Sequence, residues 1–256
     1  MNLLSTLITE KPELTILYQD EYLVAVDKPA NLFVHRSFLD KDERFFALQL
    51  VRDLVGQYAY PLHRLDKPTS GVLLFALNED VARQLSLDFH DNQIQKQYYA
   101  LTRGFVEPES GTIDHPIKVK LDKIGDKFKR EEVEAKDAIT HYQCLRTASL
   151  PIALGRYDSV RYSLIKAKPE TGRRHQIRKH LAHLRHPIIG DINYGDNKQN
   201  PFFAQHFGFK RLMLFAQSMQ FIHPVTRESV VISADFDQQW LSAFEKLGWD
   251  SITLDH

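Results

Sequence analysis

Residues 63–74 are HRLDKPTSGVLL, in which a polar tetrad stands directly before a turn and an apolar strand. In an extended chain, Arg64 and Asp66 share one face and Leu65 lies on the other. The proline of the turn removes a backbone donor and keeps the residue before it out of helical geometry. Asp66 is therefore predicted to lie in a stiff loop at a strand edge, which suits a carboxylate that must meet a substrate atom. The alternative is an aspartate that only completes a turn with the backbone after it.

Residues 171–181, TGRRHQIRKHL, predict a helix that begins at residue 171 and runs to about residue 184. Ile177 and Leu181 lie on its apolar stripe, and Arg178 borders that stripe. An arginine in this position becomes partly buried, and a buried arginine needs a carboxylate partner. The alternatives are a solvated basic face and a histidine metal site. The metal site is disfavoured, because no HExxH pattern or cysteine partner accompanies the histidines.

Residues 96–101, KQYYAL, predict a strand that carries two adjacent tyrosines. Alternation along a strand places Tyr98 and Tyr99 on opposite faces of the sheet. One tyrosine is then predicted to lie in the core, while the other is available as a stacking platform for an exposed base. The alternative is that both tyrosines only contribute to packing.

Successive strands interrupted by a few helices predict an α+β fold with a mixed, largely antiparallel sheet. The predicted strands are two within 13–27, then 60–66, 72–77, 97–104, 111–120, 140–148, 161–168, 212–221 and 229–234. The predicted helices are 41–57, one that follows an Asn78 N-cap, 171–184 and one that carries Trp240 to Leu247. Residues 194–208 are predicted to be irregular. No dinucleotide fingerprint, phosphate loop or linker is evident, so residues 1–256 are predicted to form a single domain.

The chain has 256 residues with 33 Lys and Arg against 33 Asp and Glu, which argues mildly against indiscriminate nucleic-acid binding. Two segments are nevertheless locally basic: residues 173–185 hold five Lys and Arg and no carboxylate, and residues 118–130 hold six against two Asp. They can together present one basic face. The lone cysteine, Cys144, fits a reducing compartment, and no signal or bilayer-length apolar segment is present. We therefore expect a cytoplasmic protein with no membrane partner.

Three segments together resemble the RluA-type pseudouridine synthases. They are HRLDKPTSGVLL, the K-x-Y-x-A pattern that begins at residue 96, and TGRRHQIRKHL. The opening stretch at residues 16–35 is also similar to the first sequence block of the family, and the resemblance extends from about residue 14 to 234. It is strongest to a branch of the family that acts on tRNA, particularly at residues 123–128 and 183–191.

The resemblance implies a pseudouridine synthase fold, with a mixed, mainly antiparallel sheet, flanking helices and a central catalytic cleft. It also implies that no cofactor and no metal are used. Asp66 would be the catalytic aspartate, Tyr98 would stack on the flipped base, and Arg178 would pair with the Asp66 carboxylate. Arg64 would occupy the place that the flipped base leaves. About a dozen residues precede the first strand, so we expect no N-terminal S4 RNA-binding domain.

The resemblance implies an isomerase that cuts the N1–C1′ bond of a uridine, turns the uracil and rejoins it through C5. The partner would be tRNA, with the uridine at position 65 as the target, and we expect a monomer. Asp66 would either attack C1′ or remove a ribose proton to give a glycal, and the sequence is compatible with both. Three alternatives are a ribosomal RNA synthase of the same family, a noncatalytic RNA-binding protein of the same fold, and a nucleoside-bond hydrolase with a second acid.

Overall fold

The computed structural model describes residues 8–36, 43–118 and 134–249. Within these ranges the strands are β1 (Thr15–Gln19), β2 (Leu23–Lys28), β3 (Tyr60–Pro61), β4 (Ser70–Ala76), β5 (Gln95–Arg103), β6 (Ser110–Asp114), β7 (Ile117–Lys118), β8 (Ala135–Lys136), β9 (Ile139–Leu150), β10 (Val160–Pro169), β11 (Leu214–Ile222) and β12 (Ser229–Ser233). The helices are α1 (Ala47–Val55), α2 (Glu79–His90), α3 (Gln176–His183), α4 (Gln199–Phe207) and α5 (Gln238–Lys246). No helix within the described ranges combines the length and the apolar composition that a membrane span requires.

Ten of these strands form one twisted sheet. Its main path is β1-β2-β4-β11-β5-β10-β9-β6, with β12 paired to β11 and β3 paired to β4. Every pairing in this sheet is antiparallel except that of β4 with β11, which is parallel. The prediction of an α+β fold with a mixed, mainly antiparallel sheet is therefore confirmed.

Strand β4, which follows the HRLD tetrad, lies at the centre of the fold. All seven of its residues are buried. Gly71 allows β4 to approach β11 closely: it has φ +112°, and a Cβ there would lie 2.1 Å from the carbonyl oxygen of Ala216. Only glycine tolerates this conformation and this separation. The loop that ends in β4 is thus fixed to the middle of the sheet.

The apolar core forms on both faces of the sheet. On one face, Tyr99 and Phe215 pack with aromatic residues that lead into α5, with Phe236 centred 5.2 Å from each of them. On the other face, Leu65 and Phe75 belong to a second buried cluster beside α1. Burial of each such side chain contributes on the order of 1.5–3 kcal/mol. Leu65 therefore anchors the tetrad, as the alternation of its residues predicts.

Helix α3 begins at Gln176, so the predicted start at residue 171 is wrong. The Gln176 side chain accepts hydrogen bonds from the Thr171 hydroxyl at 2.7 Å and the Arg173 N–H at 3.0 Å. It also donates to the Ile139 carbonyl at 2.9 Å. These bonds hold the preceding residues in a loop, and His175 has a left-handed φ of +58°. Side-chain hydrogen bonds of this kind compete with helix formation.

Helix α4 lies in the segment that the sequence predicts to be irregular, so that prediction is also wrong. Asp196 accepts hydrogen bonds from the N–H groups of Lys198 and Gln199 at 2.8 and 2.9 Å. Phe203 and Phe207 are buried and stack with their ring centres 4.0 Å apart. The amphipathic packing of these rings favours the helix.

Strand β3 is shorter than the sequence predicts. The extended stretch predicted over residues 60–66 is limited to the two residues of β3, because a turn closes soon after it: the Thr69 N–H donates to the Asp66 carbonyl at 3.0 Å.

The basic segment predicted over residues 118–130 lies, apart from Lys118, outside the described residues.

Candidate active site

Asp66 lies in the loop between β3 and β4, and its backbone and side chain have different partners. Its carbonyl accepts the Thr69 N–H and so forms the turn that the sequence suggests, which leaves the carboxylate available for other contacts. Beneath the loop, the fully buried Lys28 donates from Nζ to the Lys67 carbonyl at 3.1 Å. The loop is thus tied to β2 as well as to β4. Arg64 is exposed on the side opposite the buried Leu65.

Arg178 on α3 connects two carboxylates. Its side chain is 2% exposed, and it donates to Asp191 from Nε at 2.7 Å and from Nη2 at 2.9 Å. The remaining Nη1 donates to Asp66 Oδ2 at 3.1 Å. A bidentate contact fixes the plane of a guanidinium. Asp191 therefore orients Arg178, and Arg178 presents one N–H group to Asp66.

The buried part of this network remains charged. Burial lowers the pKa of Arg178, but the hydrogen bonds and charge of Asp191, followed by Asp66, outweigh burial and raise it. Burial raises the pKa of Asp191, but Arg178 and the N–H groups of Asn193 and Tyr194 outweigh burial and lower it. Those N–H groups donate to Asp191 Oδ1 at 2.9 and 3.1 Å. Every buried charge in this network thus has a partner, as burial requires.

His175 lies against the other oxygen of Asp66. Its Nε2 is 3.6 Å from Asp66 Oδ1, and its Nδ1 is 3.0 Å from the Tyr194 hydroxyl. Burial lowers the pKa of His175 to about 4, in spite of the nearby Asp66 charge that raises it. The imidazole is therefore neutral near pH 7, and its contact with Asp66 is not an ion pair.

Two cavities meet at Asp66. The first, of about 410 Å³, is lined by Tyr98, Ile177 and Leu214 in addition to the charged groups. The second, of about 650 Å³, lies on the other side of Asp66 and includes Phe33 among its lining residues. Both volumes are in the range of small-molecule sites. The residues that line both cavities are Arg64, Asp66, Arg174, His175 and Arg178.

The two adjacent tyrosines of β5 have different surroundings. Tyr99 is 1% exposed and packs edge-on against Phe236 in the core. Tyr98 is half-buried in the wall of the first cavity, where burial, and then the charge of Asp66, raises the pKa of its phenol. Tyr98 therefore presents a protonated aromatic ring to the cavity that contains the Asp66 carboxylate.

Sequence reasoning missed several residues of this site. Asp191 lies in a segment that resembles the family, but no property of the residue itself indicated that it would orient Arg178. His63 was part of the polar tetrad without an assigned role. Its Nε2 accepts the Leu74 N–H at 3.0 Å, and its ring stacks on Phe89. Burial lowers the pKa of His63 to about 3, so it acts as a neutral acceptor that ties the tetrad to β4.

The candidate metal ligands that the sequence offers are the histidines of residues 175–186. In the described part of the chain, no three His, Cys, Asp or Glu side chains are grouped as a metal site requires. The arrangement instead provides one ionisable carboxylate, a guanidinium fixed by a second carboxylate, a neutral imidazole and an aromatic wall. This combination can act on a planar, polar substrate.

Comparison with known proteins gives a consistent result. The family described as RNA pseudouridylate synthase matches residues 22–183. A Yersinia pestis protein named tRNA pseudouridine synthase C is 52% identical over 239 residues, which are 93% of each chain. A Vibrio vulnificus protein of the same name is 50% identical over 241 residues, covering 94% of this chain and 98% of that protein.

Solved structures show the same relationship. Human RNA Pseudouridylate Synthase Domain Containing 4 has a TM-score of 0.68 and 28% sequence identity, and the match covers 91% of this chain and 92% of that chain. Human RNA Pseudouridylate Synthase Domain Containing 1 has a TM-score of 0.66 and 26% identity, covering 88% and 84%. Since the family match spans more than half of the chain and the relatives match nearly all of it, this chain belongs to the RNA pseudouridylate synthase family.

Proposed function

We propose that this protein isomerises a uridine of tRNA to pseudouridine, with Asp66 as the catalytic carboxylate. The observation that carries the proposal is the Arg178 guanidinium, held by Asp191 and directed at Asp66 in the wall of a cavity that Tyr98 also lines. The names of the relatives, which share about half of the sequence, support tRNA as the substrate. The resemblance described above supports position 65 as the target.

The reaction needs a carboxylate beside the ribose and an enclosure that keeps the detached uracil in place. In the proposed complex, the uracil occupies the cavity at Tyr98 and the sugar lies at Asp66, where the two cavities meet. Asp66 acts there either on C1′ or on a ribose proton. Arg178 keeps the carboxylate oriented, and since Asp191 already fixes Arg178, little reorganisation is needed during the reaction.

The proposed substrate must leave its helix before it can react. Flipping a nucleotide out of a duplex costs a few kcal/mol, and stacking on an aromatic ring returns about 1–3 kcal/mol per base. Tyr98 is proposed to supply that ring. Arg64, which is exposed at the rim of both cavities, is proposed to fill the gap in the RNA helix. From the sequence, we predict that the enzyme is cytoplasmic and monomeric, forms a single domain and uses no metal or cofactor.

The experiment that tests this proposal uses tRNA labelled with tritium at C5 of its uridines. Pseudouridine formation replaces that hydrogen, so wild-type protein should release tritium, whereas Asp66→Asn should release none. Asp80→Asn, an exposed aspartate on α2 outside both cavities, serves as the matched control and should behave as wild type. Mapping of the modified nucleotide then tests position 65.

Other outcomes of the same experiment favour the alternatives. Tritium release from ribosomal RNA in preference to tRNA would identify a ribosomal RNA synthase. RNA binding by wild-type protein without any release would identify a noncatalytic binding protein. Free uracil among the products would identify a nucleoside-bond hydrolase, and undiminished release by Asp66→Asn would remove Asp66 from the chemistry.

A further inference from the structure

A strongly basic groove of about 900 Å³ lies beyond the end of β5, away from the Asp66 cavities. Glu107 and Asp196 supply its acidic groups. Five cationic side chains line it: Arg103, Arg156, Arg161, Arg185 and Lys198. The cations therefore outnumber the carboxylates, although the chain as a whole has no net charge. Such a local excess attracts anions independently of the overall charge.

Most of the groove cations have no acidic partner in the part of the chain that the structure describes. Arg103 forms an ion pair with Asp196 at 2.5 Å. Among the described residues, the other four have no carboxylate within ion-pair distance. Arg161 instead lies over the Phe105 ring, with its guanidinium carbon 5.4 Å from the ring centre. An arginine stacked in this way keeps its N–H groups free for an anion.

A tight turn at the tip of the groove presents Arg156. Leu154 and Tyr157 exchange backbone hydrogen bonds of 2.9 and 3.3 Å around Gly155 and Arg156. Gly155 has φ +65°, a conformation that favours glycine. The Arg156 side chain donates to the Tyr157 hydroxyl at 2.9 Å. That hydrogen bond, and then the charges of Arg156, Arg103 and Arg161, lower the pKa of Tyr157.

The groove lies close enough to Asp66 for one RNA strand to reach both. Tyr98 and Arg103 are five residues apart on β5, which corresponds to about 17 Å along a strand. Residues 191–200 form a common wall: Asn193 and Asn200 line the second cavity at Asp66, and Asp196 lines the groove. A strand that leaves the cavity across this loop reaches the groove within a few nucleotides.

We propose that this groove binds the phosphodiester backbone of the RNA substrate, a few nucleotides from the uridine that reacts. The inference rests on the proposed function and adds a second contact surface to it. Arginine forks and a lysine ammonium group are suited to phosphate oxygens, and phosphate contacts set affinity and register without reading sequence. Because the groove does not touch the reacting nucleotide, it contributes to RNA binding and not to the chemical step.

The test is the double variant Arg156→Ala/Lys198→Ala, both of whose side chains are exposed outside the Asp66 cavities. The Kd for tRNA, by filter binding at 0.15 M salt, should rise about tenfold, and KM should rise with it while kcat stays within about twofold. The slope of log Kd against log salt should fall by about 1–2, in line with two lost phosphate contacts. Arg83→Ala, an exposed arginine on α2, is the matched control and should bind as wild type.

A short hairpin RNA that contains the target uridine, but ends before the groove, should bind the double variant and wild type equally. The proposal is overturned if the double variant binds tRNA as wild type does, or if the hairpin loses as much affinity as tRNA. Inorganic phosphate is the second probe. If phosphate binds the groove of the wild-type protein while the double variant keeps the wild-type affinity for tRNA, the groove is a site for free anions and the proposal is overturned. A wild-type protein that binds tRNA through the groove without releasing tritium would refute only the proposed function.

Discussion

The two carboxylates that share Arg178 differ in exposure, and replacing each with its amide should therefore have different effects. The Asp191 side chain is 0% exposed and makes the bidentate contact, whereas the Asp66 side chain is 16% exposed and accepts a single N–H from Arg178. Asp191→Asn removes the charge and one of the two acceptor oxygens, so the buried guanidinium keeps Asp66 as its one carboxylate partner among the described residues. Breaking a buried ion pair costs about 3–5 kcal/mol, and the remaining contact places this variant near the low end, at about 3 kcal/mol.

A loss of about 3 kcal/mol lowers the Tm of a domain of this size by about 6–12 °C. Asp66→Asn leaves the Asp191 contacts of Arg178 intact, so its free energy of unfolding should change by less than about 1 kcal/mol. Its tritium release should nevertheless be abolished. Asp191→Asn should retain measurable release, reduced about 100-fold, because Arg178 is no longer held in place.

The measurement is thermal unfolding by circular dichroism at pH 7, together with tritium release, for wild type and the two variants. Equal Tm values for Asp191→Asn and wild type would refute the reasoning, because a buried anchor cannot be lost without cost. A Tm decrease for Asp66→Asn as large as that for Asp191→Asn would also refute it, since Asp66 would then be a structural residue.

Three further predictions concern the surroundings of the site. Tyr98→Ala should lower kcat/KM for tRNA by about 5–150-fold, the equivalent of a lost stacking contact of about 1–3 kcal/mol, and an unchanged initial rate would contradict the stacking role. Burial lowers the pKa of His63 from an ordinary value of 6.5 to about 3, so between these values the unfolded chain binds a proton that the folded chain does not. The contribution of His63 to the free energy of unfolding is therefore complete above about pH 6.5 and is lost as the pH falls toward 3. In urea unfolding between pH 6.5 and 4.5, the free energy of unfolding of wild type should fall by up to about 1.4 kcal/mol per pH unit more than that of His63→Gln. Parallel plots of this free energy against pH for the two proteins would contradict the prediction. Gly190→Ala should lower the Tm far more than Gly208→Ala. Both glycines have a positive φ, but only at Gly190 would a Cβ lie 1.7 Å from a backbone carbonyl oxygen. Similar Tm values for the two variants would refute the steric argument.

Much of the fold follows from local patterns. Residues 140–148 and 161–168 predicted the paired strands β9 and β10. The N-cap predicted at Asn78 is confirmed, because its side chain accepts the Asp80 and Val81 N–H groups at the start of α2. Helix α4 was missed although Asp196, which accepts the Lys198 N–H, lies just before it and Pro201 lies in its first turn, where proline is tolerated. Its strongest signal, the burial of Phe203 and Phe207, depends on tertiary contacts with Tyr162.

The candidate site was predictable only in part, for the same reason. The rule that a buried arginine needs a carboxylate applies to Arg178 from its position on the helix stripe. The rule does not say which carboxylate is its main partner, and Asp191 reaches Arg178 only because the chain reverses after α3. That reversal depends on Arg185 and Gly190, which have φ +64° and +78°. The sequence presents His175 only as a candidate metal ligand, since its left-handed backbone and its position beside Asp66 are properties of the folded chain.

The bidentate anchoring of Arg178 has a thermodynamic consequence for the RNA. A site that must be assembled on contact spends part of the association energy on freezing its own side chains. Here the guanidinium is immobile before any nucleotide arrives, because the folding of the protein has already met that entropy cost. Under the proposed function, the association energy of a bound RNA is thus left for unstacking the nucleotide that reacts.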